Sequence, residues 1–360
     1  MAPLHTTLPW TASPLLISAP MGGYAGPHLA AAVSRAGALG LIGALMDENL
    51  LDRQLQEASD LLEREPKVQS GTDGMLPIGV GLLLFALAKP EKRDAFLNVL
   101  GKWRVSVVWL FAERELKDFG IWAQEIRKVE GLQHTQIWIQ TCSVGAAVQL
   151  AKEVKPDVLV MQGSDAGGHG HARSAGVVSL VPETIDALAA EDLTTTPYVV
   201  ASGGLADARG VAAALALAAD GAVMGTRFLA SEEVMMPHPG YKQQVLDAKD
   251  GAHATTRHTV FDELKGPNMW PSHYDGRGLR SVSWKEHVED GVGIEDIRQR
   301  TKAAEDGEGK GYAGAPEEKR QVVWAGTGVG LVKKVMPAGE IVRTVRDGVK
   351  QRLEDARARL

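Results

Sequence analysis

The chain has a single cysteine, Cys142, among 360 residues. One thiol permits no intrachain disulfide and no zinc cluster built on cysteines, and it suits a reducing compartment. The chain also lacks any block of lysine or arginine: 39 basic residues against 45 acidic ones give a net charge of -6 and a pI near 6.0. That balance leaves no electrostatic footprint for nucleic acid or an anionic membrane and directs attention to small-molecule partners. No apolar run approaches the length of a membrane span. The opening residues 1–16 have no basic stretch followed by a long apolar run, so no secretory signal is expected and the expected location is cytoplasmic. The ending Ala358-Arg359-Leu360 is related to the Ser-Lys-Leu peroxisomal address, which keeps peroxisomal import as the alternative location. No motif predicts a metal site.

What the chain does have is hydrophobic residues at 44%, enough for a large core. Short aliphatic runs alternate with longer alanine-rich or charged segments. Eight such runs are Leu15 to Ala19, Leu39 to Gly43, Pro77 to Leu83, Ser106 to Phe111, Thr135 to Gln140, Asp157 to Gln162, Tyr198 to Ser202 and Gly221 to Gly225. Between them the pattern predicts helices at His28 to Ala36, Glu48 to Glu65, Glu91 to Gly101, Glu113 to Val129, Ser143 to Val154, Pro182 to Glu191 and Asp207 to Ala218. Repeated βα units of this number predict an α/β fold of the (β/α)8 TIM-barrel type. A doubly wound sheet is the alternative, but the first turn, Ala19-Pro20-Met21-Gly22-Gly23, lacks the GxGxxG fingerprint. The expected layout is a barrel over residues 1–230, an insertion or lid over 231–316, and C-terminal helices over 317–360 that complete the barrel. Within the insertion, His238 to Gly240 and Trp270 to Gly278 read as loops packing onto the barrel, and Glu305 to Gly314 reads as a mobile surface loop.

The most informative stretch is Met161 to Gly170, MQGSDAGGHG, which sets a glycine-flanked histidine, His169, just after the sixth run. Glycines allow close backbone approach to a flat or anionic ligand, and imidazole moves protons near neutral pH. The plainer reading is a turn whose histidine satisfies local hydrogen bonds. In a barrel the site lies at the carboxyl ends of the strands. There the chain carries Pro20-Met21-Gly22-Gly23, then Ser202-Gly203-Gly204, then Met224-Gly225-Thr226. Two glycine loops at the ends of the seventh and eighth strands fit a phosphate site, with tight turning as the simpler explanation of each alone. His171 reads as a solvated loop residue and Cys142 as a buried thiol. Arg227 reads either as phosphate support or as a partner of an acid below the barrel, and Asp207 as a helix cap.

These residues carry a family resemblance. APMGG at 19–23, QGSDAGGHG at 162–170, SGGLADARGVAAALALAADGAVMGTRF at 202–228 and WAGTGVGLVKKVMPAGEIV at 324–342 resemble, in family order, the nitronate monooxygenases, formerly 2-nitropropane dioxygenases, FMN-dependent TIM barrels. The resemblance implies an FMN phosphate on Gly203, Gly204, Gly225 and Thr226, and a flavin ring near Met21 and Gly22 with Gln162 and Gly167 close by. Gly168, Ser202 and Met224, at the same strand ends, complete the expected cofactor-binding set. His169 matches the family's catalytic histidine. Asp165 stands where the family usually has glutamate and Leu205 where it has isoleucine. The implied reaction is FMN-dependent oxidation of alkyl nitronates, and of nitroalkanes, with O2 to carbonyl compounds and nitrite. An NAD(P)H-dependent FMN reductase of an enoyl thioester or quinone is the alternative, because similar barrels with an AGGH loop occur there. A barrel that only binds a phosphorylated ligand is a third reading. An IMP dehydrogenase-like reading fails, since its cysteine belongs after strand six and Cys142 follows strand five.

Overall fold

The structure, a computed structural model, describes residues 3–64 and 67–360. Among them the strands are β1 (Leu16–Ser18), β2 (Leu41–Gly43), β3 (Leu76–Leu83), β4 (Val105–Phe111), β5 (Gln136–Thr141), β6 (Val158–Gln162), β7 (Gly168–His171), β8 (Tyr198–Ser202), β9 (Gly221–Met224), β10 (Thr255–His258) and β11 (Tyr274–Leu279). Eight of them form one parallel sheet in the order β1-β9-β8-β6-β5-β4-β3-β2. A parallel bridge from Ile17 to Leu39 joins the two edges, with Ser18 N–H donating to the Leu39 carbonyl at 3.0 Å and Leu39 N–H to the Leu16 carbonyl at 2.9 Å. The sheet therefore closes into the expected (β/α)8 barrel.

The period-two alternation of each strand produces its two cores. In β6, Val158 and Val160 turn inward to meet Trp109, Trp138 and Val200, whereas Leu159 and Met161 turn outward to the helices. Each such fully buried aliphatic side chain contributes roughly 1.5–3 kcal/mol. Leu4, Leu8 and Trp10 join the inner cluster, and Thr7 accepts from Gln136 Nε2 at the start of β5 at 2.7 Å. The N-terminal segment thus stops the barrel at the amino ends of the strands, leaving the carboxyl ends open.

Helices Pro27–Arg35, Glu48–Glu63, Pro90–Trp103, Lys117–Lys128, Val144–Glu153, Val177–Ala189 and Ala208–Ala216 follow their strands. The helix expected to reach Glu65 ends at Glu63, and Glu65 lies outside the described residues. Ala338–Arg357 packs against both Ala208–Ala216 and Pro27–Arg35 and completes the ring. Of residues 317–360 this is the one long helix; the Thr327–Leu331 turn ahead of it is a single 3-10 segment. Among the described residues no helix is long and apolar enough to cross a membrane.

The segment after β9 is laced into the barrel. Its β10 and β11 are antiparallel, and β11 pairs with β7 in the register Tyr274 to His171 and Gly276 to His169. Within the Trp270 to Gly278 stretch expected as loop, residues 274–278 are therefore strand. Nor is Glu305–Gly314 free. The half-buried Tyr312 ring lies 5.6 Å from that of Tyr241, and its carbonyl accepts from Gln244 Nε2 at 2.7 Å.

Candidate active site

The open end of the barrel holds a cavity of about 300 Å³, within the ordinary range for a small-molecule site. Its wall includes Met21, Gly22, Gln162, Gly167, Gly168, His169, Ser202, Gly203, Gly204, Gly225 and Thr226, so eleven of the twelve expected site residues come together. Met224 is the exception. It is the last residue of β9, and its side chain turns outward into the helix-facing core rather than into the cavity.

One side of the cavity is built almost wholly from backbone. Gly203 and Gly204 have φ of 111° and 73°, the left-handed region that favours glycine. Among the described residues, the N–H groups of Gly203, Gly204, Gly225 and Thr226 find no acceptor within the protein. Thr226 Oγ1 accepts from Gly326 N–H at 2.9 Å, which leaves its hydroxyl hydrogen to donate elsewhere. The third wall of this cradle, Gly326 and Gly328, belongs to the segment after the insertion. A Cβ on Gly167 would stand 2.3 Å from the Gly326 nitrogen, and one on Gly328 would stand 2.8 Å from the Gly204 carbonyl oxygen. These glycines are present because three backbones meet there. Uncommitted N–H donors converging at strand ends form a receptor for an anion such as a phosphate.

Arg227 has no part in it. Burial lowers its pKa, its guanidinium donates to the Lys334 carbonyl at 3.3 Å and approaches Met336 Sδ at 3.0 Å, and it is absent from the cavity wall. Asp207 caps its helix as expected, accepting from Arg209 N–H at 2.8 Å.

The same cavity is lined by His169, on β7. Gln162 Nε2 donates to its carbonyl at 3.0 Å and fixes the strand. Its Nε2 lies 2.6 Å from Asp262 Oδ1. A carboxylate only accepts, so Nε2 carries the proton and Nδ1 is the ring nitrogen left to exchange one. The second Asp262 oxygen is buried and has no partner. The Trp270 indole stacks on the imidazole at 3.7 Å with planes 10° apart, and Trp324 lies against it at 4.6 Å. Gly276 makes room for that contact, since a Cβ there would stand 2.4 Å from Trp324. Trp324 is held through its backbone, its N–H donating to the Tyr241 hydroxyl at 2.8 Å. Asp262, Trp270, Trp324 and Tyr241 were not singled out from sequence. Trp270 and Trp324 each open a glycine-containing stretch noted in the sequence, while Asp262 and Tyr241 had no such signal.

His171 is not a solvated loop residue. Its Nε2 stands 3.3 Å from Oε1 of the buried Glu113, and its ring packs on Tyr274 at 4.5 Å. Burial would push its pKa down, but the Cys142 sulfur and the Glu113 carboxylate beside it outweigh this and raise it to about 9. Burial pushes the Glu113 carboxyl up, and His171 with the Tyr274 hydroxyl, 2.5 Å from Oε2, overcome that and hold it below the usual range. Cys142 is buried, as expected.

Fold and site together define an α/β-barrel enzyme in which a backbone cradle suited to an anion and a carboxylate-paired histidine line one cavity. The family described as nitronate monooxygenase matches residues 6–347. The nitronate monooxygenase npaC of Metarhizium robertsii is 40% identical over 99% of this chain and 97% of its own length. A nitronate monooxygenase of Neurospora crassa is 35% identical over 99% and 94%. Among solved structures, FabK from Thermotoga maritima superposes with a TM-score of 0.70 at 24% identity, covering 96% of this chain and 95% of its own. A nitroalkane oxidase from Streptomyces ansochromogenes gives 0.69 at 23%, covering 95% and 98%. The chain belongs to the nitronate monooxygenase family and is an oxidoreductase of that type.

Proposed function

We propose that this protein oxidises alkyl nitronates, with FMN as its cofactor and O2 as oxidant, to a carbonyl compound and nitrite. One observation carries the reading: among the described residues lining the cavity, His169 is the only side chain able to bear a positive charge, and it shares that cavity with a backbone cradle fit for a phosphate. The glycine crowding and the uncommitted N–H groups of Gly203, Gly204, Gly225 and Thr226 suit the FMN phosphate, and Met21 and Gly22 suit its ring. When bound there, FMN supplies the electron acceptor that connects substrate to dioxygen.

The chain supplies the rest. Trp270 and Trp324 shield the imidazole from bulk water, which strengthens its hold on an anion. Asp262 fixes the ring orientation through Nε2. Protonated, His169 holds the nitronate oxygens; neutral, its Nδ1 takes the α-proton of a nitroalkane, a role typically worth about 10² to 10⁴ in rate. The test is anaerobic mixing of the purified protein with an alkyl nitronate, and separately with NADH or NADPH, while following flavin absorbance, with the released cofactor identified by mass. Bleaching by nitronate is the expected result. Bleaching by a reduced nicotinamide, with no response to nitronate, would replace this reading with that of a reductase.

A further inference from the structure

Beside the cavity, but outside its wall, the fold assembles a second set of ligating side chains. Glu113 follows β4, His171 ends β7 and His273 immediately precedes β11; one carboxylate oxygen and two imidazole nitrogens lie within 4.8 Å of one another. Glu113 Oε1 is 3.3 Å from His171 Nε2 and 3.7 Å from His273 Nε2. Nitrogen and oxygen ligands bound to tetrahedral zinc at their usual lengths are about 3.3–3.5 Å apart. Two edges of the triangle therefore already have close to the length such an ion would impose.

The local detail points the same way. The shielded His171 Nε2 stands within ion-pair reach of Glu113 but makes no hydrogen bond of good geometry, so it points at the carboxylate with room for an ion between them. The other Glu113 oxygen accepts from the Tyr274 hydroxyl at 2.5 Å, and that bond orients the carboxylate as an outer-shell partner of a metal ligand does. The Glu113 side chain is only 6% exposed but that of His273 is 39% exposed, giving an ion a route from solvent and room for water in a fourth position.

We propose that Glu113, His171 and His273 form a binding site for a divalent transition-metal ion, zinc in particular. Two imidazoles and one carboxylate select that class over magnesium or calcium, which take oxygen ligands. An ion there ties the loop after β4 to the β7–β11 ribbon carrying His169, two residues from His171. Its work is to brace that ribbon.

The experiment uses the full chain, stripped with chelator and dialysed, then titrated calorimetrically with zinc chloride alone, alongside the His273→Ala variant. His273 is half out of the protein, so its truncation leaves the core intact. One equivalent should bind the parent chain and raise its thermal midpoint. His273→Ala should weaken binding by more than the roughly 10–100-fold typical of losing an outer-shell partner, and abolish the midpoint shift. His134→Ala, at an exposed histidine paired with Asp73 on the surface, should bind as the parent does. No binding by the parent chain, unchanged binding by His273→Ala, or loss of binding in His134→Ala would each overturn the proposal.

Discussion

His169 and His171 stand two positions apart in β7, so both side chains leave the same face of that strand, and each meets a carboxylate. Their side chains are almost equally shielded, at 15% and 19% exposed. What differs is the surroundings. His169 is paired with Asp262, sandwiched by indole rings and open to the cavity. His171 is wedged among Glu113, Cys142, His273 and Tyr274 and does not reach the cavity wall. Burial alone does not separate the two histidines. The partner and the open face do, and on the proposed function one strand carries an imidazole for chemistry beside one that holds structure.

The largest expected effect breaks the first half of that comparison. His169→Asn should lower nitroalkane turnover by about 10² to 10⁴, the usual worth of a general base, while His171→Asn stays within about tenfold of the parent in the same steady-state assay. Comparable losses in the two variants would erase the distinction.

Next, Glu113→Gln should destabilise the protein by about 3 kcal/mol in urea unfolding, because removing one partner of a buried ion pair strands the other. An unchanged midpoint would show that His171 does not depend on Glu113. Asp262→Asn sharpens the comparison from the other side. It should lower kcat for nitroalkane by about 10²-fold with little change in KM, and move the pH profile, because an amide no longer fixes the Nε2–H tautomer. A loss confined to KM would make Asp262 a substrate-binding group instead.

The smallest effect is in pH. The folded pKa of His171, raised to about 9 from an ordinary value of 6.5, means that its pairing contributes fully below pH 6.5 and is lost as pH rises through 9. In chelator-treated protein the stability gap between the parent and Glu113→Gln should therefore narrow as pH is raised over that interval. A gap constant to pH 10 would contradict a charged His171.

The barrel was legible because its signal is local: alternating apolar residues and glycine-marked turns put all eight strands within a residue or two of their expected ends, as with Tyr198–Ser202. The start of Val177–Ala189 was misplaced at Pro182. Proline favours a helix's first turn, but Val177, Leu180 and Val181 bury on the barrel and carry the helix back past it. The β7, β10 and β11 strands were not legible, since GHGH, TTRH and YDGRGL are polar or glycine-rich and have no apolar alternation. For the same reason His169 was identifiable by its loop while Asp262, 93 positions away, was not. His171 was misjudged because the buried carboxylate it meets comes from the loop after β4, distant in the chain, and nothing beside it in the sequence announces that contact.

The central claim is that His169 exchanges the substrate's proton and Asp262 positions it. The direct test compares His169→Asn with the parent for anaerobic flavin bleaching by a neutral nitroalkane and by the same compound supplied as its nitronate, with equal flavin occupancy verified first. The account predicts a loss of about 10² or more on the nitroalkane and a far smaller one on the nitronate. Equal losses on both, with flavin retained, would contradict it.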